Sequence, residues 1–135
     1  MIDREHIKSI LEELKTALNL KDDIKLELRP MKTKAASTSL KRKTIRLNKN
    51  LIPNLSHETI RYLILHELTH IKLNTIHHTK DFYNLLHSII DKNTAKELEE
   101  EILAKLIKLN NYRSINYKNQ PNHVRGELCP LKNSR

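Results

Sequence analysis

Residues 56–74, SHETIRYLILHELTHIKLN, carry the strongest structural signal in the chain. Apolar residues recur at helical spacing after Ser56, a residue type that caps helix N-termini, so the pattern predicts a helix over this stretch. His66 and His70 are four residues apart, which places both imidazoles on one face of the helix. Glu67 lies about 100° round from His66 and can face a metal-bound water without ligating the metal. This is the HExxH arrangement of zinc hydrolases.

A third zinc ligand is expected from outside this helix, because a catalytic zinc usually has three protein ligands and one open position for water. His77 and His78 follow closely in the sequence, but adjacent side chains point in different directions, and spacing alone does not choose between them. Glutamates of a later helix are the alternative donors, namely Glu97, Glu100 and Glu101. Such an acidic run beside lysines is also typical of a solvated helix face.

Hydrophobic periodicity places further elements on both sides of the HExxH helix. The predicted helices cover about residues 4–19, 80–90 and 94–110, and the predicted strands cover residues 24–29, 34–40 and 43–48. Asp3 and Thr79 are candidate N-caps, and Thr94 with Glu97 forms a candidate capping box. The last two strands are expected to form a hairpin. The sequence therefore predicts an α+β fold, in which a three-stranded sheet packs on the N-terminal helix and the HExxH helix, and two helices follow.

The 135 residues are enough for one domain, which we assign to residues 1–110, with an extended polar tail over residues 111–135. The helix predicted over residues 94–110 has an apolar stripe that must be buried against its own domain or against a second chain in a homodimer. The tail holds three further potential zinc ligands, His123, Glu127 and Cys129.

Charge and composition exclude several classes of protein. The formal net charge is +9, and residues 25–49 hold nine basic residues against one acidic residue, Glu27. Such a block can attract nucleic acid, but no aromatic residues interleave for base stacking, so a solvated hairpin is favoured. The single glycine, Gly126, excludes Gly-rich phosphate loops.

Cys129, the single cysteine, excludes an internal disulfide and a cysteine-based zinc framework, which fits a reducing compartment. No apolar run is long enough to cross a membrane, and the first residues lack the order of a signal peptide. These features predict a soluble cytoplasmic protein.

Three stretches of the chain resemble the YgjP-like metallopeptidases and the small soluble proteins called minigluzincins. They are TKAASTSLKRKTIRLNKNLI (33–52), HETIRYLILHELTHIK (57–72) and HHTKDFYNLL (77–86). The resemblance covers about residues 24–90 and implies a minimal zincin-like peptidase domain with Zn²⁺ as cofactor. Relatives of this kind have a His-Ser/Thr-x-x-Phe sequence whose histidine is the third zinc ligand. His78 matches that histidine, which leaves His77 beside the site or as an alternative ligand.

The chain departs from the family pattern in two places. An Arg-Trp-Gly-Ser-Cys strand is common in the family where residues 34–38 read Lys-Ala-Ala-Ser-Thr. The gap between His70 and His78 is also longer than usual by about two residues. The first departure bears on substrate preference, and the second keeps His77 open as a ligand.

These observations predict a zinc-dependent endopeptidase. Glu67 would act as general base on the zinc-bound water and then pass the proton to the leaving amine. A peptide substrate could pair as an added strand along Ala35, Ala36 and Ser37, if that strand is the sheet edge. The candidate donors to the tetrahedral intermediate are Tyr83, Tyr112, Tyr117 and His77.

Two other functions and one form of regulation stay open. The chain could be a basic, nucleic-acid-associated protein with a zinc site, or a structural zinc domain without catalysis. A structural site would have a fourth protein ligand and no need of a general base. Minigluzincins include latent forms held by carboxyl-terminal segments, so a further hypothesis is that residues 94–135 cover the cleft, within one chain or exchanged between two chains.

Overall fold

The computed structural model describes residues 3–114, with side chains described through residue 111. Within this range the chain forms four α-helices and three strands. The helices are α1 (Arg4–Ala17), α2 (His57–Leu73), α3 (Lys80–Ile89) and α4 (Lys92–Ser114), and the strands are β1 (Lys25–Arg29), β2 (Ala36–Ser39) and β3 (Thr44–Asn48). The predicted α+β class and element order are confirmed.

The sheet has the order β1-β3-β2, with β3 in the centre. β2 and β3 form the predicted antiparallel hairpin, in which Thr38 lies opposite Ile45. β1 pairs with β3 in parallel, so the chain passes through β2 before it returns to the centre of the sheet. β2 is therefore an edge strand, and one of its sides has no neighbouring strand among residues 3–114.

Helix α2 lies at the centre of the domain and contacts α1, α3, α4, β2 and β3. All residues from 62 to 71 are buried, including the polar His66, Glu67, Thr69 and His70. The other helices and the sheet pack around this segment, which the apolar spacing did not reveal. Fully burying one Leu or Ile side chain typically contributes about 1.5–3 kcal/mol to stability. The HExxH residues thus lie within the buried core.

Side-chain caps fix the starts of three helices where the sequence predicts them. Asp3, Ser56 and Thr79 each accept a hydrogen bond from the backbone N–H three residues later. An N-cap of this type typically contributes about 1 kcal/mol. The local sequence therefore determines where α1, α2 and α3 begin.

Helix α4 differs from its prediction at both ends. The Asp91 carboxylate accepts hydrogen bonds from the N–H groups of Asn93 (3.1 Å) and Thr94 (3.2 Å). Asp91 therefore stabilises a helix start at Lys92, and the predicted capping box lies inside the helix. The helix continues to Ser114, so residues 111–114 of the predicted tail are helical. The rest of the tail, with His123, Glu127 and Cys129, lies outside the described residues.

The apolar stripe of α4 is buried within the same chain. Its buried residues are Ala95, Leu98, Ile102 and Leu106, and α4 packs against α2. The burial of the stripe therefore needs no second chain. None of the helices in residues 3–114 is long and apolar enough to span a bilayer.

Candidate metal centre

The end of α2 sets the path of the chain back to the site. Asn74 adopts the left-handed conformation (φ 52°), which asparagine tolerates better than most residues. The N–H of Asn74 donates to the Ile71 carbonyl and the N–H of Thr75 donates to the His70 carbonyl, each at 3.1 Å. These two bonds form a Schellman motif, which stops the helix and turns the chain.

Three histidines converge beside this turn. His66 and His70 are buried on α2, and the half-buried His78 comes from the loop before α3. One ring nitrogen from each can be chosen so that all three lie within 4.8 Å of one another, and the three together form a group that could hold a metal ion. The side chain of Phe82 packs against all three rings, with centroid distances of 4.6–5.0 Å. The phenyl ring thus forms an apolar support for the imidazole cluster.

A hydrogen bond to a backbone carbonyl orients the imidazole of His70. The Nδ1 atom of His70 lies 2.8 Å from the Thr75 carbonyl oxygen. Since a carbonyl only accepts, Nδ1 carries the hydrogen and Nε2 is left with a lone pair. Burial lowers the pKa of His70, which favours the neutral imidazole. A neutral ring with one nitrogen held by a backbone carbonyl is the usual form of a metal-binding histidine.

Glu67 lies next to this cluster and is fully buried. Its Oε1 accepts a hydrogen bond from the Thr38 hydroxyl at 2.5 Å, and its Oε2 lies 3.2 Å from His66 Nδ1. Burial raises the pKa of Glu67, but the hydrogen bonds and charge of His66 and the hydrogen bond from Thr38 outweigh it, so the net pKa is lowered. Glu67 is therefore an ionised carboxylate within the core.

The remaining candidates for the third ligand lie apart from the cluster. His77 is exposed, and its backbone N–H donates to the Thr75 hydroxyl. Glu97 and Glu100 are exposed on α4, and Glu101 accepts a hydrogen bond from the Thr59 hydroxyl at 3.0 Å. None of these belongs to the group of potential ligands that the described residues form.

The candidate oxyanion donors have different positions. The ring of Tyr83 lies 6.1 Å from the ring of His78, and its side chain is 38% exposed at the rim of the site. The side chain of Tyr112 and the whole of Tyr117 lie outside what the structure describes. Tyr83 is therefore the tyrosine candidate with an observed position near the histidines.

A cleft opens beside Glu67. It is lined by Lys34, Ser37, Thr38, Leu40, Glu67, His70 and Ile76. The edge strand β2 supplies one wall of this cleft. Of the predicted substrate-strand residues, Ala35 and Ala36 are buried and Ser37 is half-buried. Glu67, His70 and residues of β2 thus border a common space.

Two contacts near the site had no signal in the sequence. The Thr38 hydroxyl reaches Glu67 across 29 positions of sequence, and the Tyr62 hydroxyl donates to the Glu99 carboxylate on α4. Burial raises the pKa of Tyr62, so this side chain stays a neutral donor. Strand alternation places Thr38 on the same face as Ala36, but the side of α2 that meets this face depends on tertiary packing.

A central HExxH helix, a third histidine beside it and a cleft along a sheet edge define this protein as a metallopeptidase. Similarity to known proteins supports the same class and shows the family. The model of the YgjP-like metallopeptidase domain matches residues 3–106, and the chain belongs to this family.

Two similar solved structures are crystal structures of metallopeptidase zymogens. Jannalysin of Methanocaldococcus jannaschii is 42% identical, with a TM-score of 0.70, over 78% of this chain and 99% of that chain. Abylysin of Pyrococcus abyssi is 33% identical, also with a TM-score of 0.70, over 74% of this chain and 94% of that chain. The uncharacterized protein MJ0123 of M. jannaschii is 43% identical over 105 residues, which are 78% of this chain and 96% of the relative.

Proposed function

We propose that the chain is a zinc-dependent endopeptidase in which His66, His70 and His78 bind Zn²⁺ and Glu67 is the general base. The observation that carries the proposal is the convergence of these three imidazoles beside a fully buried glutamate. Three imidazole donors with one position left open fit a catalytic zinc site. When bound, the zinc ion would lower the pKa of a coordinated water to about 7 and polarise the substrate carbonyl.

Glu67 would perform the proton transfers. Its carboxylate is ionised and faces the cleft, so it can take a proton from the attacking water as the oxygen adds to the carbonyl carbon. The same carboxyl group would then give that proton to the leaving amine as the C–N bond breaks. Tyr83 at the rim is our candidate donor to the developing oxyanion.

The substrate would be an extended peptide bound along β2. An edge strand offers backbone N–H and C=O groups to an added strand, and β2 borders the cleft that contains Glu67 and His70.

The two alternative functions receive less support. A structural zinc site is disfavoured because the described residues supply three ligands and place a buried carboxylate next to them. A nucleic-acid surface is disfavoured because Arg46 and Arg29 pair with Glu27, and Lys43 pairs with Asp22. These pairs partly neutralise the basic block.

Removal and return of the metal tests the proposal directly. We expect the purified protein to contain about one zinc ion per chain and to cleave an unstructured protein such as casein. A chelator should reduce cleavage to background, and added Zn²⁺ should restore it, because water activation requires the ion. Cleavage that persists after the zinc has been removed, as measured by elemental analysis, would contradict the proposal.

We further propose that the segment after α4 limits access to the cleft, because two similar solved structures are those of metallopeptidase zymogens. Residues 115–135 span up to about 70 Å when extended, so length does not prevent the segment from reaching the cleft. Truncation after Ser114 should raise peptidase activity by about tenfold, since a tethered blocker acts at an effective concentration near the millimolar range.

The truncation keeps the whole of α4, because its buried residues such as Ile102 belong to the core. Molecular mass should be measured for both forms, since a fall from dimer to monomer would indicate exchange of the segment between two chains. Equal activity of the full and truncated chains would contradict latency.

A further inference from the structure

The strongest feature near the site without an assigned role is the contact between Thr38 and Glu67. The Thr38 hydroxyl donates a hydrogen bond to Glu67 Oε1. Among residues 3–114, Thr38 and His66 are the side chains that hydrogen-bond the Glu67 carboxylate, one at each oxygen. The hydroxyl therefore helps to determine the orientation of the carboxylate.

A proposed zinc ligand and a strand residue thus hold Glu67 from opposite sides. His66 is the neighbour of Glu67 on α2, so its contact fixes Glu67 relative to the metal centre. Thr38 lies on the edge strand β2, so its contact fixes Glu67 relative to the strand that borders the cleft. A general base must lie within hydrogen-bond reach of the proton that it removes. Both hydrogen bonds are therefore needed to place the Glu67 carboxylate between the water and the peptide.

We propose that Thr38 is a positioning residue that aligns the general base Glu67 with a peptide bound along β2. This proposal rests on the proposed function and adds a specific role for the edge strand. A peptide paired with β2 is located by the backbone around Thr38, while the side chain of the same residue holds Glu67. One residue thus links the register of the substrate to the orientation of the base.

 Within residues 3–114, the Thr38 hydroxyl makes one side-chain hydrogen bond, the bond to Glu67. A threonine retained only for strand formation could be replaced by valine, which has nearly the same shape and a similar strand preference. The Thr38→Val variant therefore removes the hydrogen bond with little change in packing, and Thr38→Ser keeps the hydroxyl group.

The test compares these two variants with the wild-type chain and with a matched control. Thr44→Val is the control, because Thr44 is a buried threonine of β3 whose hydroxyl donates to the Arg42 carbonyl at 3.1 Å, away from Glu67. For each protein, kcat and KM are measured on one peptide substrate. Zinc affinity is measured by competition with a chelator, and thermal unfolding is followed with and without zinc.

Thr38→Val should lower kcat by about 10- to 100-fold, the usual effect of losing a hydrogen bond that orients a group of a metal site. Its KM and zinc affinity should stay within about twofold of wild type, because the proposed zinc ligands and the backbone of β2 are unchanged. Thr38→Ser should recover most of the lost kcat, and Thr44→Val should keep the wild-type value. This combination would separate positioning of the base from a general loss of stability.

Three outcomes would overturn the inference. They are an unchanged kcat in Thr38→Val, an equal loss of kcat in Thr44→Val, and a failure of serine to restore activity. In each case the wild-type chain would still cleave peptide and the proposed function would stand. A zinc-loaded wild-type chain that cleaves no peptide would instead contradict the proposed function, and the role of Thr38 would fall with it.

Discussion

Replacement of Glu67 by glutamine should abolish peptide hydrolysis while the protein keeps its fold and its zinc. Glutamine has nearly the same shape as glutamate, and its carbonyl oxygen can still accept the hydrogen bond from Thr38. The amide cannot accept a proton from water at neutral pH, so the general-base step is lost. Because general acid–base catalysis typically contributes about 10²- to 10⁴-fold, kcat should fall by that amount.

The measurement is a comparison of kcat, bound zinc and thermal unfolding between the wild type and Glu67→Gln. Glu97→Gln is a suitable control, because Glu97 is an exposed glutamate of α4 outside the histidine cluster. A Glu67→Gln variant with wild-type activity would show that another group acts as the base. Loss of zinc in the same variant would show that Glu67 supports the metal centre rather than the proton transfer.

The parts of the fold that the sequence predicted are those determined by neighbouring residues. Ser56 caps α2 where its residue type and the following apolar pattern place the helix start. Asn74 ends the helix where the sequence pattern stops. The β2–β3 hairpin likewise follows from two short strands separated by a basic turn. Each of these features depends on interactions between residues close in sequence.

The parts that the sequence did not predict depend on contacts between distant residues. β1 pairs in parallel with β3 and not with β2, the next strand along the chain. No local sequence pattern specifies that strand order. The contact of Thr38 with Glu67 depends on which side of α2 the sheet edge meets. The predicted start of α4 was wrong for a local reason. Asp91 and Thr94 are both acceptable N-cap residues, and the structure uses Asp91.

The candidate site was predictable to a similar extent. Helical spacing alone brought His66 and His70 together, because they lie one turn apart on one helix. Spacing alone did not choose between His77 and His78, and the family resemblance favoured His78. The conformation of the loop between α2 and α3 depends on contacts that spacing does not show. In that loop, Thr75 accepts hydrogen bonds from His70 and from the His77 backbone. His78 then faces the other two rings, and His77 is exposed.

Replacement of His78 by alanine should weaken zinc binding by more than about 100-fold, whereas replacement of His77 should leave it within about twofold of wild type. Loss of a residue that only orients a ligand costs about 10- to 100-fold in affinity, so loss of a ligand should cost more. The ring of His78 lies 5.1 Å from that of His66 and 4.9 Å from that of His70.

The adjacent position of the two histidines makes this comparison unusually well matched. Both substitutions remove one imidazole from the same loop, so a difference in zinc affinity reports the direction of the side chain rather than a change in loop composition. Zinc affinity is measured by competition with a chelator, and thermal unfolding of the metal-free proteins shows whether His78→Ala disturbs the packing on Phe82. If His77→Ala loses zinc and His78→Ala keeps it, the loop presents the other imidazole to the metal and the ligand assignment is wrong.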